Sequence, residues 1–152
     1  MSVADAEMVT SLAERCWCSH YTPIIGEAQV EYMLANFQST PAILEQIKKG
    51  RNYRLIEDKA PIGYLATDLS DHLFLSKLYI LPDYQRRGIG RWSLEQIFQA
   101  HPDHEIHLTV NKYNDESIAF YERVGFVKSE AVVADIGNGF VMDDWKMIRP
   151  CA

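Results

Sequence analysis

Leu78-Tyr79-Ile80-Leu81-Pro82-Asp83-Tyr84-Gln85-Arg86-Arg87-Gly88-Ile89-Gly90 decides how this chain folds and what it can hold. An apolar run stops at Pro82, which cannot donate to a sheet ladder. A short polar loop follows. Two glycines then open a stretch in which Leu94, Ile97 and Phe98 share one helical face, with Trp92 on the far side. The order is strand, loop, helix. A helix N-terminus leaves backbone N–H groups unpaired and carries partial positive charge, so it attracts anions. Gly88 and Gly90 put no Cβ between backbone and ligand. Arg86 and Arg87 add guanidinium groups that fork onto phosphate oxygens. The stretch predicts a pyrophosphate site. The competing reading is a solvated basic loop with a glycine-rich helix start. The stretch lacks the Gly-Lys-Ser/Thr end of a nucleotide-binding loop and the third glycine of a dinucleotide fingerprint.

Outward from this turn, the spacing predicts helices over residues 4–17, 26–37 and from Thr40 to Gly50. Thr40 is the expected cap of the third, with Pro41 at its first position. Strands follow at 53–57, 62–69 and 73–81, an antiparallel meander. A helix at 88–99, a buried strand at 106–110 and a helix at 115–124 ending at Gly125 come next. Strands at 127–136 and 140–148 flank the hairpin turn Gly137-Asn138-Gly139. The pattern is a mixed-sheet α/β fold.

The chain has 152 residues, which favours one domain spanning 1–152. A net charge of −6 argues against nucleic-acid binding. No apolar run approaches membrane-spanning length, and nothing before Ser2 resembles a signal peptide. Cys16, Cys18 and Cys151 cannot all pair within one chain, so reduced thiols in a cytoplasmic protein are expected. No metal is expected. Cys16-x-Cys18-x-His20 sits on a predicted helix, where i and i+2 face apart, and His101, His104 and His107 cross three different elements.

A second motif stands downstream of the first: Val110-Asn111-Lys112-Tyr113-Asn114, then Ile118-Ala119-Phe120-Tyr121-Glu122-Arg123-Val124-Gly125-Phe126. Together with Gln85-Arg86-Arg87-Gly88-Ile89-Gly90, in this order and spacing, it resembles the GNAT superfamily of acetyl-CoA-dependent N-acetyltransferases. The resemblance implies a mostly antiparallel central sheet flanked by helices. Only Met1-Ser2-Val3 precede the first helix, so the family's first strand is expected to be short or missing. The resemblance further implies acetyl-CoA as co-substrate. Backbone N–H groups of Gln85, Arg86, Arg87, Gly88, Ile89 and Gly90 would hold the pyrophosphate. The strand residues Leu78, Tyr79 and Ile80 would splay from strand 106–110 to admit pantetheine. Asn114 would bond that arm, with Ser117 able to add a second bond. Tyr121 would lie near the thioester sulfur as general acid. Without the motif, Tyr121 reads as a core aromatic.

Acyl transfer to an amine also needs an oxyanion donor, which a strand N–H near Ile80 can supply. It needs a proton acceptor, and no carboxylate stands on the third predicted strand, where Ser76 sits instead. His72 reads as a turn residue. Glu31, Tyr32 and Asp144 are candidates on the acceptor side, as is a water chain to a distant acid. The helical half and residues 135–144 resemble bacterial polyamine acetyltransferases of the PaiA kind. That likeness implies a small-molecule amine acceptor held by acids such as Glu27, Glu31, Asp135, Asp143 and Asp144. The alternative is that these form a solvated rim. The competing functional class is a non-catalytic coenzyme A sensor or interaction module. A homodimer through the strand at 140–148 is the expected assembly.

Overall fold

The computed structural model describes residues 3–151. Four helices come first: α1 (Val3–His20), α2 (Thr22–Ile25), α3 (Glu27–Phe37) and α4 (Thr40–Lys48). The antiparallel meander follows as β1 (Asn52–Glu57), β2 (Pro61–Leu69) and β3 (Leu73–Ile80). Then come α5 (Ile89–Ala100), β4 (Ile106–Asn111), α6 (Asp115–Arg123), β5 (Val127–Gly137) and β6 (Phe140–Arg149). The six strands form one sheet in the order β1-β2-β3-β4-β6-β5. All pairings are antiparallel except β3 with β4. Met1 and Ser2, where the short first strand was expected, lie outside the described residues. Val3 is already helical.

The sheet separates two cores. On one side α1, α3 and α4 bury Val9, Leu12, Trp17, Val30, Met33 and Ile43 against Tyr53, Tyr64 and Ala66. On the other, Leu94 and Ile97 of α5 and Ile118 of α6 pack on Leu65, Leu75 and Leu108. Trp92 points away from this second core and is exposed, as its position on the helix predicts.

Three local details differ from the sequence reading. Ser39, not Thr40, caps α4: its Oγ accepts from the Ala42 N–H at 3.3 Å. The Thr40 hydroxyl lies 2.9 Å from the Thr10 hydroxyl, tying α4 to α1. The strand at 140–148 does not offer an edge for dimerisation. It is β6, paired with β4 on one side and β5 on the other, and the free edge of the sheet there belongs to β5.

The third detail shapes the whole molecule. β2 and β3 pair Ala66↔Lys77 and then Thr67↔Leu75, so Ser76 has no partner and forms a bulge. A bulge bends its strand and re-aims the side chains beyond it. Before Ser76, Leu73 and Leu75 face the α5–α6 core. After it, Lys77 and Tyr79 face the helical side, while Leu78 and Ile80 take over the α5–α6 face. The buried Lys77 Nζ donates to the Phe37 carbonyl and to Gln46 Oε1, both at 3.0 Å, pinning the end of α3 and the body of α4 to the sheet.

Gly63 fixes the outer end of this arrangement. A Cβ there would strike the Tyr79 carbonyl oxygen and lie 3.2 Å from the Ile80 Cα. Overpacking against backbone costs about 1–3 kcal/mol. Gly63→Ala is therefore expected to lower the urea unfolding free energy by about that much. An unchanged unfolding midpoint would contradict the β2–β3 register.

Candidate active site

The parallel ladder between β3 and β4 covers Leu73↔Ile106 and Phe74↔His107 and goes no further. Beyond the bulge the two strands part. Leu81 N–H donates to the Ile62 carbonyl at 2.9 Å. Alternation along an antiparallel ladder then turns the N–H groups of Leu78 and Ile80 away from β2, toward β4. The Ile80 carbonyl on that side accepts from Gln85 Nε2 at 2.9 Å. On β4, Leu73 N–H reaches the Glu105 carbonyl at 2.9 Å, and the same alternation turns the Thr109 backbone toward β3. The wedge thus has polar backbone on both walls and no ladder to satisfy it.

A cavity of about 390 Å³ fills this wedge and continues to the start of α5. Pro82 ends β3, a 3-10 turn follows at Pro82–Tyr84, and the loop takes left-handed backbone at Arg86 (φ 63) and Gly88 (φ 79). No side chain caps α5, whereas Ser39 and Asn114 cap α4 and α6. A Cβ on Gly88 would meet nothing within 4 Å, so the uncapped helix start faces open space. An uncapped N-terminus beside a cavity fits an oxyanion. Gly90, which also lines the cavity, allows a close packing contact. A Cβ there would meet the Phe120 ring at 3.3 Å, so this glycine lets α5 pack on α6.

With one exception, the residues expected on the coenzyme side line this cavity: Leu78, Tyr79 and Ile80 from β3; Gln85, Arg86, Gly88, Ile89 and Gly90 from the turn; Asn114, Ser117 and Tyr121 from α6 and its cap. Arg87 is the exception. Its guanidinium lies over the Tyr84 ring, 5.2 Å from the centroid. Arg86 reaches across the mouth to Glu116 on α6 at 3.1 Å, an exposed pair that contributes little to stability. Asn114 is buried, and its Oδ1 accepts from the Ser117 N–H at 3.3 Å. Burial pushes the Tyr121 phenol above its ordinary range, and Tyr21 adds to the shift. Tyr121 therefore holds its proton at neutral pH. Burial also pushes the Cys16 thiol, which lines the same cavity, up to about 11, so it is not a thiolate nucleophile.

On the opposite side of the wedge lies a second cavity of about 80 Å³. Asp144 lines it, while Glu31 and Tyr32 line neither cavity. The inward face of α3 carries Val30 and Met33, which turns Glu31 to solvent. Tyr32 is committed elsewhere: its hydroxyl donates to the Ile136 carbonyl at 2.6 Å, latching α3 onto the β5–β6 hairpin. Sequence reasoning missed an aromatic wall between the two cavities. Trp17 and Tyr21 have ring centroids 4.5 Å apart, and Trp17 and Tyr79 are at 5.5 Å. The i, i+4 spacing of Trp17 and Tyr21 at the end of α1 was the available signal.

The acetyltransferase (GNAT) family model matches residues 11–126, and the chain belongs to that family. Among curated proteins it is similar to the peptidyl-lysine N-acetyltransferase YjaB of Escherichia coli (strain K12), 31% identical over 85 residues, covering 55% of this chain and 54% of that protein. The peptidyl-lysine N-acetyltransferase YiaC of the same organism is 29% identical over 80 residues, covering 53% of this chain and 52% of that protein. The chain thus spans about half the length of these curated relatives. PaiA N-acetyltransferase from Thermoplasma acidophilum, solved in complex with coenzyme A, superposes with a TM-score of 0.79 at 22% identity, covering 99% of this chain and 95% of that one. A GCN5-related N-acetyltransferase from Rhodopseudomonas palustris gives 0.77 at 17% identity, covering 97% and 90%. These likenesses show a shared fold.

Asn114 closes the first turn of α6. Removing such a cap costs about 1 kcal/mol. Asn114→Ala is expected to lower thermal stability by about that amount, and Asn114→Asp to restore it at neutral pH. Equal melting temperatures for the wild type and Asn114→Ala would contradict the cap.

Proposed function

We propose that this chain, acting as one domain over 1–152, transfers an acetyl group from acetyl-CoA to a primary amine by direct attack. The observation that carries the reading is the uncapped start of α5, open at Gly88, at the mouth of a wedge lined by unladdered backbone. Membership of the acetyltransferase (GNAT) family supports it. The free thiols of Cys16, Cys18 and Cys151 agree with a cytoplasmic setting.

Acetyl-CoA supplies an activated thioester carbonyl. The chain supplies the rest. Backbone N–H groups at the start of α5 receive the diphosphate, and Arg86 is free to exchange Glu116 for a phosphate oxygen. The outward N–H groups of Leu78 and Ile80 offer ladder positions for pantetheine amides and a donor for the developing oxyanion. Tyr121, protonated at neutral pH, donates toward the leaving sulfur. The raised pKa of Cys16 favours direct attack over an acyl-cysteine route.

For the acceptor, the groove of five acids expected for a polyamine resolves into separate groups. Asp143 pairs with Lys112 at 2.8 Å, Asp135 accepts from the Gly137 N–H at 2.8 Å, and Glu27 and Glu31 face solvent on α3. Asp144 alone of the five lines a described cavity. The relatives named above as peptidyl-lysine acetyltransferases support a lysine-type amine, and the PaiA likeness keeps polyamines in the panel.

A thiol-release assay with acetyl-CoA against polyamines, lysine peptides and simple amines tests the reading. Release with an amine above the amine-free rate is expected. Tight coenzyme A binding with no release across the panel would favour the sensor reading instead. Tyr121→Phe is expected to keep acetyl-CoA affinity and to lose about 100-fold in kcat, the lower range for a general acid. Full turnover in that variant would remove Tyr121 from the chemistry.

A further inference from the structure

The smaller cavity lies on the helical side of the wedge and shares Tyr21, Ser76, Tyr79, Thr109 and Val110 with the larger one. The two therefore meet where β3 and β4 part. Its other lining residues are the apolar Trp17, Ile25, Met33 and Met142 together with the polar Gln29 and Asn111. Into this surface β6 brings one carboxylate. Asp144 is 4% exposed, and its Oδ1 is buried without a hydrogen-bond partner among the described residues. A buried carboxylate oxygen left unpaired is costly to the fold and needs a reason.

We infer that Asp144 takes the proton from the incoming amine, and that the smaller cavity admits an aliphatic primary ammonium with no carboxylate on the adjoining carbon. The inference rests on the acetyltransferase reading and deepens it. Ile25 and the methionines suit methylene groups, and the aromatic and thioether surfaces of Trp17, Tyr21, Met33 and Met142 suit a cation. The unpaired Oδ1 supplies the counter-charge. A free α-amino acid would bring a second carboxylate beside Asp144, with Asp143 next to it, and like charges there repel. The amine thus enters from the face opposite the acetyl donor.

The ammonium gives one proton to Asp144, which releases it to solvent. The nitrogen lone pair forms the C–N bond as the C–S bond breaks. The sulfur takes its proton from Tyr121, and the second nitrogen proton restores the Tyr121 phenol. The products are an amide, a thiol and one released proton.

The surroundings tune Asp144 for this task. Its pKa is raised to about 6, by burial first and by Asp143 second, against the downward pull of the Thr109 hydroxyl and Lys112. The other groups on or beside its face are Tyr21, whose own titration feels Asp144, and Lys146, which is held by Glu130 at 3.8 Å. A group that titrates near 6 is ionised at neutral pH yet close enough to accept a proton. The linkage sign is opposite to that of a salt-bridged carboxylate. The folded state binds this proton more tightly than the unfolded state, so stability is lost as pH rises from about 4 to about 6. A catalytic Asp144 therefore works against the fold at neutral pH.

The test uses Asp144→Asn and Asp144→Glu in the full chain, with 1-butylamine, a lysine peptide, spermidine and norleucine as acceptors. For Asp144→Asn the expected result is a melting temperature at pH 7.5 equal to or above the wild type and unchanged acetyl-CoA affinity. Its kcat/KM for butylamine should fall about 100-fold. The wild-type kcat/KM limb near pH 6 should be absent from the variant, and Asp144→Glu should recover part of the rate. Norleucine should be a poor substrate, and the lysine peptide and spermidine arms tell which source of aliphatic amine is used. Wild-type turnover with full activity in Asp144→Asn would overturn the inference and leave the acetyltransferase reading standing. So would a lowered melting temperature with lost acetyl-CoA binding, the signature of a structural residue. Calorimetric binding of butylamine separates the two readings. Binding that depends on Asp144, without thiol release from any amine, would keep the ammonium site, sink the transfer reading, and with it the proton-acceptor role.

Discussion

Everything in this molecule depends on one unpaired residue in a sheet. Ser76 bulges out of β3, and the chain changes face at that point. A regular strand would continue the parallel ladder with β4 that starts at Leu73 and Phe74. The bulge instead bends β3 away and leaves the backbone of Leu78, Ile80 and Thr109 facing a gap. Strand backbone that gives up its ladder forgoes those hydrogen bonds, so such a gap persists only where something else holds the walls apart. Here two cores do so. Leu78 and Ile80 are anchored in the α5–α6 core, while Lys77 and Tyr79 are anchored in the helical core.

The same bulge makes a site with two entrances. On one side the gap runs into the uncapped end of α5, which favours negative charge. On the other it runs into a cavity with a single carboxylate among its lining residues, which favours positive charge. On the proposed reading, a donor bearing phosphates and an acceptor bearing an ammonium would be drawn to opposite faces of one sheet and would meet between Tyr79 and Thr109. Tyr21, Tyr79 and Trp17 partition the two spaces and bring α1 into the chemistry from some sixty residues away in sequence.

The strand–loop–helix turn on the α5 side was legible in the sequence, whereas on the opposite side Asp144 was one of three candidates and the other two, Glu31 and Tyr32, line neither cavity. Pro82, Gly88 and Gly125 act locally, through a missing donor or a positive φ, so the strand–loop–helix turn and the end of α6 could be read without knowing their neighbours. The bulge at Ser76 is a property of pairing with β2, and no residue type announces it. Strand order is equally non-local: β6 inserts between β4 and β5, which buries Asp144 beside Thr109 and removes the edge that a dimer would have used. Tyr32 looked available for an acceptor because its hydroxyl partner, the Ile136 carbonyl, lies more than a hundred residues away. Ser39 and Thr40 are both good caps, and the contact of Thr40 with Thr10 decides between them.

Amide hydrogen exchange, resolved by residue with and without acetyl-CoA, tests most directly whether the bulge-opened wedge is a ladder awaiting a ligand. The account predicts that the amides of Leu78, Ile80 and the first turn of α5 gain protection on binding, while Leu73 and Leu81, already bonded to Glu105 and Ile62, change little. Protection confined to other parts of the chain, with Leu78 and Ile80 exchanging as before, would contradict it.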